Sequence, residues 1–349
     1  MKSIDLRSDT ITLPNEEMIA SITLEKLGDD VYGEDPLVNE LEATAAKMMG
    51  KEAGLLVTSG TQGNLLGILS QTTRGDEIIL EKESHIYYYE VAGLAALAGV
   101  MPRTLAGNDG IINPEDVLQN IRGLDIHQPV TTLLAVEQTH NRAGGTVLPY
   151  ENLQILGKIT KENNMAFHFD GARIFNAATY LGRNVAKLAE PATTVQFCLS
   201  KGLSAPVGSL LVGSEETIQK ARKFRKMLGG GMRQAGVIAG PGLVALKTMP
   251  QRLQEDHDNA KELAKGLTAI SGASWIVKEP QTNIIKITVP SGQAKQIVEE
   301  LKKIGVKSGT MDTKTVRFVT NRMVTKEDVQ EVLNRIQNNP NVLNLIKTA

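Results

Sequence analysis

Three short segments of this chain combine residue types that can do chemistry together. The first is Ser59-Gly60-Thr61-Gln62-Gly63-Asn64, set between a predicted strand and a predicted helix. Glycine lets the backbone approach an anion, and the free N–H groups at a helix start point toward it. Thr61 adds a hydroxyl donor. An ordinary strand-to-helix turn has the same composition, and the pattern is neither a Walker loop nor GxGxxG. The second is His168-Phe169-Asp170-Gly171-Ala172-Arg173. Its apolar lead-in puts Asp170 at the carboxyl end of a strand, where open α/β sheets bind ligands. A carboxylate there can keep a heteroaromatic nitrogen protonated. Arg173 can offer a planar fork to a substrate carboxylate, although the two could equally form a structural ion pair. The third is Cys198-Leu199-Ser200-Lys201-Gly202. A lysine directly after an apolar strand is costly unless partnered or neutralised, and the neutral amine is the form that makes an imine. The plainer reading is a lysine that snorkels to solvent. Brought to one rim of a sheet, the three segments would supply a phosphate cradle, a pyridinium partner and a Schiff-base lysine. Those are the recurring protein contributions to pyridoxal 5'-phosphate (PLP) chemistry.

The surrounding pattern is suited to place them so. Continuous aliphatic and β-branched runs at 53–60, 77–81, 131–137, 165–170, 195–200 and 209–213 read as strands buried on both faces. Helical patterns lie between them at 36–50, 64–73, 90–99, 114–122, 150–163 and 215–227. Strand–helix alternation argues for an α/β fold with a mostly parallel sheet flanked by helices. The texture changes near Met249-Pro250. A long helix is predicted over 252–270, then strands at 274–278 and 283–289, a helix at 293–304, a strand at 315–319 and a helix capped by Thr325 and Asp328. The expected division is a large cofactor domain over 16–248, with 1–15 and 249–349 forming a smaller α+β domain that carries an N-terminal active-site segment.

Composition narrows the partners. The 349 residues are 41 % hydrophobic and 22 % charged, with a net charge of −1. That gives no broad field for nucleic acid or an anionic membrane. No run reaches the roughly 18 apolar residues of a membrane span. The single cysteine, Cys198, cannot form an internal disulfide, and the opening MKSIDLRSDT lacks a signal-peptide core, so a cytoplasmic protein is expected.

The ordered motifs resemble those of the L-threonine aldolases, fold-type I PLP enzymes of the β-eliminating lyase group. The resemblance spans nearly the whole chain. It rests on Asp5-Leu6-Arg7-Ser8-Asp9-Thr10, the block Gly28 to Pro36, Ser59-Gly60-Thr61, Glu83-Ser84-His85-Ile86 and Glu137-Gln138-Thr139-His140-Asn141. It continues through Asp170-Gly171-Ala172-Arg173, Ser200-Lys201-Gly202 and Gly229-Gly230-Gly231-Met232-Arg233-Gln234. It implies an aspartate-aminotransferase-like fold and retro-aldol cleavage of a β-hydroxy-α-amino acid to glycine and an aldehyde. His85 would stack on the cofactor ring, Asp170 would pair with its nitrogen and Lys201 would carry it covalently. Ser59, Gly60 and Thr61 would hold the phosphate, with Arg233 as helper from the same or a neighbouring subunit. Ser8, Arg173 and Arg317 would grip the substrate carboxylate. Asn321 stands where family members often have histidine. A homotetramer or homodimer is implied as well. For the base that takes the β-hydroxyl proton, His85, His127 in a probable loop, and a phosphate-activated water are the candidates.

Other features read blandly. Tyr87-Tyr88-Tyr89 is expected to pack or to line the pocket, Cys198 to be inert core, and His140 and His168 to be structural. His257 is expected to be solvent-exposed. The basic run 222–226 is expected to form a solvated helix face, or to approach cofactor phosphate across an interface. No residue spacing suggests a catalytic metal.

Overall fold

A computed structural model describes residues 2–289 and 292–347. Seven strands form the main sheet, in spatial order Ala53–Val57, Ser209–Gly213, Thr194–Cys198, Ala166–Asp170, Thr131–Glu137, Glu77–Glu81, Met101–Leu105. Only Ser209–Gly213 runs antiparallel to its neighbours. The central strands are buried along their length, as their unbroken apolar runs require. Register sets Glu137 and Asp170, at the carboxyl ends of two parallel strands, beside Gln196 in the middle of a third. This rim is where the site is built.

Helix ends follow their sequence signals. Asp35 caps the helix Pro36–Met49 by accepting from the Leu37 and Val38 N–H groups, and Gly50 closes it at φ 65°. Thr325 and Asp328 form the expected capping box. Three assignments shift. The helix expected from 64 runs instead over Gly60–Leu69, capped by Ser59; its three glycines hid the first turn. The single helix expected over 90–99 does not form. Val91 and Ala92 take positive φ (52° and 57°), which breaks the chain into a turn at His85–Tyr88 and a wide turn at Leu94–Ala98. Met101–Leu105 is a strand that the sequence reading passed over. Pro102 and Arg103 suit it only to the sheet edge, where it lies.

A second hydrophobic core joins Ile4 and Leu6 to residues from Ala260 to Ile346. Its sheet is antiparallel, in the order Gly309–Thr310, Thr315–Val319, Ile284–Thr288, Ile276–Val277. Ile4 and Asp5 pair with Val306 and Lys307, so the first residues of the chain lie on this core. Lys278, Gln281, Thr282 and Lys286 bind the 142–147 loop of the large core, fastening the two cores beside the rim. Among the described residues no helix is long and apolar enough to cross a membrane.

Candidate active site

A cavity of about 370 Å³ opens at the carboxyl rim of the main sheet, where the two cores meet. Lys201, Asp170, His85 and Glu137 line it from the large core; Arg317, Thr310 and Met311 line it from the small one; Ser8 and Thr10 come from the N-terminal segment. A larger surface groove of about 720 Å³ near Lys47 and Arg183 contains none of these groups.

The floor is a buried polar network. Asp170 Oδ2 accepts from Asn64 Nδ2 at 3.0 Å, and Asp170 Oδ1 accepts from the Ala172 N–H at 3.1 Å. With its amide oriented to satisfy both ends, Gln196 also donates to Asp170 Oδ1 at 3.0 Å. The same Asn64 Nδ2 donates to Glu90 Oε1 at 2.8 Å, and Glu90 Oε1 lies 2.9 Å from His85 Nδ1. His85, Glu90 and Asp170 thus bring one polar atom each within 4.8 Å of one another. His168 sits behind Asn64, wholly buried; desolvation pushes its imidazole down to about 4, so it is neutral. Glu137 fixes the opposite wall, accepting from the His85 N–H at 2.7 Å and from the Asn141 N–H at 2.9 Å.

The anion end holds two guanidiniums. Asp9 takes the Nε and one terminal nitrogen of Arg173 in a buried fork, both at 2.7 Å. Burial works against the charge on Asp9; Arg173, Lys201 and the Asn283 amide outweigh it and hold the carboxyl down to about 2. Asp9 leaves one edge of Arg173 facing the cavity. Arg317 donates to Asn141 Oδ1 at 2.9 Å and to the Arg7 carbonyl at 3.1 Å. Burial and then the field of Arg173 push Arg317 down from its ordinary value. Two like charges left close together in a partly desolvated cavity are suited to an anion. The Ser8 hydroxyl oxygen accepts from Thr10, which leaves its own proton free to donate.

Not every expected residue reaches this cavity. Ser59, Gly60 and Thr61 stand next to it rather than in its lining. A Cβ on Gly60 would come 3.0 Å from Cys198 Sγ and 3.2 Å from Gln196 Nε2, so the turn lies close against the side chain that supports Asp170. Ser59 Oγ caps its helix by accepting from Gln62 N. Arg233 is exposed and paired with Asp29 at 3.1 Å. His127 is exposed in a loop, outside the cavity of its own chain. Residues 123–128 are exposed throughout, so His127 takes no part in the cavity of its own chain.

The residues present fit PLP. Lys201 is half-buried, and among the described residues its amine has no hydrogen-bond or ion-pair partner. Asp170 is a buried carboxylate at a strand end, and the N-terminus of Gly60–Leu69 abuts it. Comparison with known proteins agrees. The beta-eliminating lyase family model matches residues 5–290. The low-specificity L-threonine aldolase of Escherichia coli (strain K12) is 42 % identical over 330 residues, covering 94 % of this chain and 97 % of that one. Low-specificity L-threonine aldolase 1 of Arabidopsis thaliana is 41 % identical over 344 residues, covering 97 % and 96 %. The chain belongs to the L-threonine aldolase family. In fold, this aldolase-family chain superposes on a threonine aldolase from Leishmania major with a TM-score of 0.81 at 17 % identity, covering 95 % and 97 %. It superposes on a serine palmitoyltransferase from Sphingomonas wittichii with 0.77 at 17 % identity, covering 98 % and 88 %. The fold is that of these PLP enzymes.

In this aldolase-family site, sequence reasoning overlooked Asp9, Asn64, Glu90, Glu137 and Asn141 as working residues. Glu137 and Asn141 sit in a quoted motif, and Asp9 in another, but nothing local tells which of their neighbours they serve. Glu90 stands alone between tyrosine and valine. Two bland readings are corrected. His257 is 1 % exposed, faces Asn176 at 3.2 Å and is pushed down to about 4 by burial. Arg225 is not part of a solvated face: it is buried, donating to the Leu56 carbonyl and to Asp30 at 2.6 Å. His140, Cys198 and Asn321 are buried, and Tyr89 lines the cavity.

Proposed function

We propose that this family member cleaves L-threonine, L-allo-threonine and related β-hydroxy-α-amino acids to glycine and an aldehyde, acetaldehyde from the first two. The observation that carries the reading is the placement of Arg173, Arg317 and Ser8 across one small cavity from Lys201, Asp170 and His85. The Lys201 amine is the group to hold PLP covalently, Asp170 to bind its ring nitrogen, His85 to cover the ring and the 59–61 turn to receive its phosphate. Bound PLP supplies an electron sink for charge released at Cα. The chain itself does the rest. Arg173, Arg317 and Ser8 fix the substrate carboxylate, and this sets which Cα bond lies in the orientation to break. Fixing a reactant in this way is where much of an enzyme's advantage arises. Glu137 and Asn141 hold the His85 backbone and the Arg317 fork in place. His85, whose ring reaches the cavity, takes the β-hydroxyl proton.

Mixing the pure protein with L-allo-threonine and assaying acetaldehyde tests the reading. Pyruvate from serine or cysteine with no acetaldehyde would establish β-elimination instead. Assembly into a homodimer or homotetramer belongs to the same proposal. Leu24, Tyr32, Val91, Leu124 and Ile126 are large apolar side chains left almost bare. Covering them would bring the His127 loop and Arg233 into subunit contacts, from where either can serve a neighbour's site. Cytoplasmic residence accompanies it, supported by the lone buried Cys198.

A further inference from the structure

The hydrogen-bond chain beneath the cavity determines which nitrogen of His85 is free. It starts at Gln71, whose Nε2 donates to Thr194 Oγ1 at 2.7 Å. The Thr194 hydroxyl passes its own proton to His168 Nδ1, 2.8 Å away. His168 is neutral, so its Nε2 carries the ring proton and donates to Asn64 Oδ1 at 3.1 Å. That orients the Asn64 amide: its two N–H groups go to Asp170 Oδ2 and Glu90 Oε1. Glu90 Oε1 therefore presents lone pairs, and the His85 nitrogen facing it, Nδ1, is the donor. Among the described residues His85 Nε2 has no partner.

From this geometry we infer that Glu90 is a positioning residue for the aldol cleavage, holding His85 as the Nδ1–H tautomer so that Nε2 is the proton acceptor. The inference rests on the reading of the protein as an aldolase. The backbone supports it independently. Glu90 is followed by Val91 and Ala92, both in the left-handed region, where a β-branched residue is strained by about 1–3 kcal/mol. Val91 is 92 % exposed, so no packing within its own chain explains the turn. Immediately before this turn Glu90, 5 % exposed at its side chain, reaches His85 and Asn64. In the reaction the β-hydroxyl proton passes to Nε2 and the oxygen electrons form the aldehyde carbonyl. The Cα–Cβ pair stays with the glycine fragment, which takes up a proton at Cα.

The charged groups around His85 are Glu90, Asp170 and Lys201, with Glu137 on its backbone N–H. Burial opposes an imidazolium there, and Lys201 adds to that; Glu90 and Asp170 prevail and raise the imidazole above its ordinary value. Burial likewise raises Glu90.

The test is Glu90→Gln in the holoenzyme, with Glu90→Asp as the charge-retaining variant. Two quantities are read: the pH dependence of kcat/KM for threonine cleavage, and the pH dependence of diethylpyrocarbonate acylation at His85, followed by peptide mass spectrometry. Losing an opposite charge at hydrogen-bond distance should lower the His85 midpoint by about one unit or more in both profiles. Turnover should fall about tenfold or more, with KM little changed. Glu90→Asp should restore most of the midpoint. An unmoved acylation midpoint in folded Glu90→Gln overturns the inference, as does lost turnover with an unmoved acid limb. If the unaltered enzyme makes no acetaldehyde, the aldolase reading fails; the acylation midpoint still decides the coupling of Glu90 to His85. If Glu90→Gln does not fold, Glu90→Ala takes its place, and an unmoved acylation midpoint in the folded Glu90→Ala protein overturns the inference.

Discussion

Replacing Asp9 by asparagine removes one charge and keeps the shape, which makes it a close mimic of the protonated acid. Asp9 is fully buried, and its carboxyl stands at about 2 against an ordinary 3.8. The gap of 1.8 units, at 1.36 kcal/mol per unit, corresponds to about 2.5 kcal/mol of stability. Because the folded value is the lower one, this contribution is complete above pH 3.8 and is lost as pH falls through 2. About half of it remains at pH 3. Asp9→Asn should therefore lie about 2.5 kcal/mol below the native protein in urea denaturation at pH 7, with the gap roughly halved at pH 3. Asp9→Ala should cost more, about 3–5 kcal/mol, since Arg173 then stands buried with no partner. Both enzymes should bind glycine at least tenfold more weakly, because the Arg173 fork is no longer aimed. A gap below 1 kcal/mol at pH 7, or one that does not narrow on acidification, refutes the account of Asp9 as a charge held by Arg173.

Further outcomes follow from single contacts. Asp170→Asn should keep the fold but lose threonine cleavage by a hundredfold or more, read by acetaldehyde release; full activity would remove Asp170 from the site. Gly67→Ala places a Cβ 2.5 Å from His168 Cε1. It should destabilise the protein by about 1–3 kcal/mol and weaken PLP retention, since His168 must leave Asn64; thermal melting and cofactor titration check this. Arg225→Met leaves Asp30 buried without its partner and should cost about 3–5 kcal/mol in denaturant titration. Turnover by His85→Ala should collapse. If His127→Ala collapses equally, the base comes from a neighbouring subunit.

Legibility of the sequence depended on distance along the chain. Lys201 and Asp170 could be read because the strands that carry them are local, continuous and apolar, and the rim position follows from their ends. The Gly60–Leu69 helix start was blurred because glycine carries no periodicity. Asp9 could be noticed but not paired: its partner lies 164 residues on, and no local rule reports that. Glu90 was invisible for another reason. Its partners His85 and Asn64 meet it only in the fold, beside two left-handed residues that a valine and an alanine do not advertise. His257 and Arg225 misled because charged helical patterns predict a solvated face, whereas here each is buried against a group from a remote element. His127 had the right residue type, and only the exposure of its loop separated it from His85.

The cavity draws its cofactor-binding groups from one hydrophobic core and much of its carboxylate clamp from the other. Ser8 and Arg317 stand 309 residues apart in the chain, whereas His85, Asp170 and Lys201 all belong to the main sheet and its connections. Contacts of such long separation form late, after the loops they close have been ordered. If the large core orders first, capture of PLP would report on that core and capture of an amino acid on the whole molecule. A chain arrested between the two would be coloured but unable to recognise substrate, so the two ligands divide its folding into separately measurable stages.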